Sequence, residues 1–100
     1  GVNKMAAPRL PASRRPNSVF SEEYGAVREI LVGARQDAGL SQRALAARLG
    51  KTGSHVAMIE RGQRRVDLLE FCRIAESLGL APVALMQRIA ERLEALRPAA

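Results

Sequence analysis

The chemistry within reach of this 100-residue chain is the recognition of an anion, because one stretch of it carries cations almost unopposed by acids. Between Ser41 and Val66 stand Arg43, Arg48, Lys51, Arg61, Arg64 and Arg65 against Glu60 alone, a local balance of +5. From Asp67 to Ala100 four arginines meet five acids, a balance of −1. Cations gathered in this way neutralise phosphates and release their condensed counterions, which points to a nucleic acid. A generic basic surface would not need the clustering. Other chemistries find little to work with. A nucleophile beside a base, a metal cluster and a phosphate-binding glycine loop are all missing from the sequence, so neither an enzyme nor a cofactor is expected. Cys72 and His55 are the single cysteine and single histidine, too few for a disulfide framework or a zinc site. With Phe20, Tyr24 and Phe71 as the only aromatics there is no platform for stacking RNA bases. Apolar runs fall well short of about 20 residues, so no membrane partner is expected and the place of action is the cytoplasm, at the nucleoid.

The basic stretch must be positioned by helices. Ser41 is an N-cap type, and Leu45, Ala46 and Leu49 recur at helical intervals behind it. Gly50 follows the last of them, where a left-handed residue ends the helix at no steric cost. Thr52 is a second cap, and Val56 and Ile59 would turn a second helix toward the first. Ala46 is small at the point where two helices joined by so short a turn must cross. The spacing predicts a helix-turn-helix over about 41–61. Its second helix leaves Ser54, His55, Ala57, Met58 and Arg61 on the open side, a set of mainly short or polar side chains that suits entry into a major groove. An ordinary helical hairpin with a solvated face is the plainer alternative.

From about Val27 to Ile89 the chain resembles the Cro and lambda-repressor-like helix-turn-helix family. The likeness rests on Arg35, on Gly39-Leu40-Ser41-Gln42 before the motif, on Leu45-Ala46 and Leu49-Gly50 within it, and on Ile59-Glu60-Arg61-Gly62 at its end. It implies an all-α, compact five-helix lambda-repressor-like domain. It also implies a structural ion pair between Arg35 and Glu60, a phosphate near Gln42, and base reading from Thr52, Gly53, Ser54, Ala57 and Met58. Gly53 departs from the family, which often carries a glutamine there to meet adenine. Ser54 or His55 would take over the edge contacts, and Met58 would pack on a thymine methyl. A lone histidine can equally be a neutral surface group. Lys51 replaces an aliphatic residue and would meet a phosphate, as would Arg43, Arg61, Arg64 and Arg65.

The remaining segments support this unit. Val27, Ile30, Leu31 and Ala34 trace a first helix, with Glu22 and Glu23 at its N-terminal end. Asp67 and Glu70 have capping-box spacing before a face of Leu68, Phe71, Cys72, Ala75 and Leu78, where Cys72 reads as packing. A last helix over about 82–96 carries Met86, Ile89, Leu93 and Leu96 in heptad spacing, beyond the family's usual end. Pairing with a second copy would cover Leu93 and Leu96; the alternative is a helix folded over its own chain. Residues 1–20, with three prolines, four cations and no acid, are expected to form a disordered basic arm ahead of a domain over 21–97. The function implied is that of a sequence-specific regulator, a repressor by promoter occupancy, binding double-stranded DNA as a homodimer on an inverted repeat. An antitoxin or adaptor that holds a protein partner as well as DNA is the competing reading.

Overall fold

A computed structural model describes residues 21–98, and the expected N-terminal arm lies outside them. Five helices succeed one another: α1 (Glu22–Asp37), α2 (Gln42–Leu49), α3 (Gly53–Glu60), α4 (Leu68–Ser77) and α5 (Pro82–Ala95). Four of them start on a side-chain cap. Ser21, Ser41, Thr52 and Asp67 accept the backbone N–H of Tyr24, Ala44, His55 and Glu70, each satisfying an otherwise orphaned donor of the first turn. Pro82 opens α5 instead, at the position where a missing N–H costs nothing.

Helix α3 packs chiefly on α2 and also on α1, while α5 lies across α1 and α4. Their shared core contains Leu31, Ala34, Leu45, Ala46, Val56, Ile59, Phe71, Ile74, Ala75, Leu78, Leu85 and Ile89. Ala46 is 1 % exposed, and with Leu45 it is the buried part of α2. Gly50 closes α2 at φ 69°, the left-handed conformation that the turn requires.

Two apolar faces differ from the reading of the sequence. Leu68 stands 78 % exposed rather than with Phe71, Ala75 and Leu78 in the core. As the first residue of α4 its side chain leans back past the end of the helix, where there is nothing to pack on. Ile74 takes the place inside. In α5 the inward stripe begins one residue earlier than the heptad reading had it. Leu85 and Ile89 are buried, Leu93 packs against the same core and Leu96 is half-buried, whereas Met86 is 41 % exposed. Ile89 is therefore covered by its own chain, which corrects its place in a seam for a second copy, while Leu93 and Leu96 are covered in part. Arg92 of α5 adds a 3.0 Å ion pair to Glu29 of α1, exposed enough to contribute little. Cys72 sits half-buried at the edge of the core, in the packing role read for it.

Candidate nucleic-acid interface

The C-terminal end of α3 is fixed by two arginines of α1. Arg35 donates from Nε and Nη2 to the two carboxylate oxygens of Glu60 at 2.6 and 2.9 Å, a bidentate pair with side chains 11 % and 8 % exposed. Its Nη1 reaches the Leu40 carbonyl at 2.7 Å, which ties in the chain just ahead of α2. The hydrogen bond to Glu60 raises the pKa of Arg35 above its already high ordinary value and burial works against it, so the charge persists at any ordinary pH. One helical heptad earlier, Arg28 donates from Nη1 to the Glu60 carbonyl at 2.8 Å, satisfying one of the bare carbonyls at the end of α3. Gly62 lets it in: its φ is 80°, and a Cβ there would come within 2.9 Å of Arg28 Nε. Arg28 escaped the sequence reading, although its spacing of seven from Arg35 puts both on one face of α1.

Gln42 differs from expectation in its side chain. Its Nε2 donates to Glu60 Oε1 at 2.8 Å, so the amide belongs to the same cluster rather than reaching out from the start of α2.

The outward part of α3 comes from its short side chains. Thr52 and Ser54 are exposed, Gly53 and Ala57 half-buried, and Met58 is 38 % exposed, while Val56 and Ile59 point into the core. His55 does not share that open face. Its Nε2 lies 2.5 Å from Glu70 Oε2 of α4, with the two side chains 13 % and 14 % exposed. The reason is visible in the spacing: His55 precedes Ile59 by four residues and so leans toward the buried side. This corrects its placement among the edge-contacting residues.

Around the helix the cations Arg43, Lys51, Arg61, Arg64 and Arg65 are exposed. Arg61 Nε donates to Gln63 Oε1 at 3.3 Å, and the Arg65 guanidinium lies 5.4 Å from the Tyr24 ring centroid, a cation–π contact. Arg48 has a different use. Its Nη1 donates to the Ser77 carbonyl at 2.8 Å, closing the end of α4 against α2. Lys51, Arg64 and Arg73 line a shallow cleft with Asp67 and Glu70, whose carboxylates are already engaged by a backbone N–H and by His55. Among the described residues no group of acids, histidines and cysteine could hold a metal ion, and no helix is long and apolar enough to cross a membrane.

A helix-turn-helix family model matches residues 33–85. Among solved structures the chain is similar to an XRE-family like protein from Pseudomonas syringae pv. tomato str. DC3000, with 39 % identity over 76 % of this chain and 88 % of that one and a TM-score of 0.64. It is similar also to the restriction-modification controller protein C.AhdI from Aeromonas hydrophila, at 34 % identity over 65 % and 98 % of the two chains and a TM-score of 0.60. A third, the controller protein C.Esp1396I, is 19 % identical with a TM-score of 0.66 over 74 % and 97 %, and its structure is that of a tetramer in complex with its natural 35 base-pair operator. At that identity the likeness speaks for the fold alone. No curated protein sequence matches the chain closely. Matched over more than half its length by the family model and in the capped helices, turn glycine and Arg35–Glu60 pair by its own structure, the chain belongs to the XRE-type helix-turn-helix family.

Proposed function

We propose that the protein is a sequence-specific regulator that places α3 in the major groove of double-stranded DNA, binding as a homodimer to an inverted repeat and repressing by occupying a promoter. The observation that carries this reading is the suspended α3: its C-terminal end is clamped through Glu60, while Thr52, Gly53, Ser54, Ala57 and Met58 lie along its outward part. Short side chains there let the backbone approach base edges, with Ser54 as hydrogen-bonding partner and Met58 as apolar contact for a thymine methyl. Arg43, Lys51, Arg61, Arg64 and Arg65 hold phosphates on either side, and near Gln42 a phosphate would meet the first amides of α2. Membership of the helix-turn-helix family supports the same role here.

In a dimer, Met86 and Val83, at 41 % and 79 % exposure, are the apolar residues that α5 offers a second copy. Footprinting on the DNA upstream of its own gene tests the whole reading. Two protected half-sites about one helical turn, roughly 34 Å, apart are expected. A single protected half-site would remove the dimer, and an unprotected promoter would remove self-repression.

Leu68 and Leu69, 78 % and 63 % exposed side by side, favour a second reading in which the domain also holds a protein partner as an antitoxin or adaptor. Co-purification of a neighbouring gene product, lost in Leu69→Ser, would support it.

A further inference from the structure

The His55–Glu70 bond joins the first turn of α3 to the first turn of α4, and each partner is itself held in place. Thr52 Oγ1 accepts the His55 backbone N–H at 3.2 Å, and Asp67 Oδ1 accepts that of Glu70 at 2.7 Å. Capping-box spacing would send the Glu70 carboxylate back to its own cap. It goes instead to His55, at 2.5 Å, where both side chains are largely shielded from water. The bond spans the loop of residues 61–67 that carries Arg61, Arg64 and Arg65. Helix α3 packs on α2, is clamped to α1 at its C-terminal end, and shares the apolar core with α4 through Val56, Ile59 and Ile74. The His55–Glu70 bond adds to that non-directional packing a directed polar tie from α4 to the N-terminal turn that carries Gly53 and Ser54. We infer that His55 and Glu70 are positioning residues for sequence discrimination: their bond fixes the base-facing turn of α3 relative to the cations of the α3–α4 loop.

This rests on the DNA-binding reading above. A recognition helix whose supporting contact is lost still meets phosphates through flexible arginines, but its base contacts tolerate little displacement. An ionised carboxylate only accepts, so the proton of its bond to Nε2 belongs to the imidazole, and a glutamine at position 70 can still accept it through its amide oxygen.

The test uses the full chain, a duplex enriched by it from a randomised pool, and a scrambled duplex. Glu70→Ala and His55→Ala are each expected to lower the ratio of the two affinities about tenfold, the order of one good base contact. Binding to the scrambled duplex and the salt slope should stay as they are. Glu70→Gln should recover most of the ratio, which a merely charged surface role for Glu70 would not allow. The double variant His55→Ala, Glu70→Ala leaves no shielded carboxylate unpaired, so it remains measurable if a single variant unfolds, and it should match the single losses rather than add them. An unchanged ratio in these variants, or equal losses on both duplexes, would overturn the inference while leaving the DNA-binding reading standing. A wild-type protein that enriches no sequence would overturn that reading and this inference together.

Discussion

Glu60 is the residue on which most of the recognition geometry converges. Its carboxylate takes three hydrogen bonds, two from Arg35 and one from Gln42, and its carbonyl takes a fourth from Arg28. Removing the carboxylate leaves a shielded guanidinium and an amide without their acceptor. Glu60→Ala should therefore cost about 2 to 4 kcal/mol, lowering Tm by roughly 10 to 20 °C in a domain of this size. A melting curve that superimposes on the wild type would contradict the role. At the outward face the side chains divide by chemistry. Arg64→Ala should weaken binding to every duplex and flatten the salt dependence by about one counterion, whereas Met58→Ala should change which sequence is preferred. Titrations on matched and scrambled duplexes at several salt concentrations separate the two outcomes. The Arg35–Glu60 pair was legible in the sequence because both residues lie within a recognisable pattern. Arg28, the side-chain use of Gln42 and the Glu70 partner of His55 were not, because each joins residues distant in the chain that share no period. The shielding of His55 was nevertheless implied by its place one turn before Ile59.

At the scale of the helices, caps and turn were legible to within a residue or so, since Ser41, Gly50, Thr52 and Asp67 act through their immediate neighbours. Faces were less so. Leu68 fits the period of its helix but overhangs its end, and Met86 lies one residue off the stripe that Leu85 begins. Periodicity says which residues share a face and leaves open where the neighbouring helix stops. The packing of α2 on α3 gives a sharp test, because Ala46 at 1 % exposure has no room to grow. Ala46→Leu should lose about 1 to 3 kcal/mol through overpacking, and an unaltered Tm would refute the crossing. Helices α5 and α4 together offer a paired comparison. Leu85→Ala, at 0 % exposure, should cost about 2 to 5 kcal/mol, while Leu68→Ala, at 78 %, should stay within about 0.5 kcal/mol. Equal effects in thermal melts would mean that the stripe is wrongly assigned.

Across the whole molecule, charge and fold point the same way. The +5 stretch coincides with the helix-turn-helix, and the balance of −1 falls on the C-terminal third of the chain, with α4 and α5. Attraction to a duplex is thereby concentrated on the side that carries the outward residues of α3, and should fall steeply as salt rises. The most direct measurement is equilibrium binding to a duplex enriched from a randomised pool against a scrambled duplex, at about 150 mM salt where phosphate contacts alone are weak. A preference on the order of a thousandfold is predicted. Equal, weak binding to both duplexes would contradict sequence-specific recognition by α3.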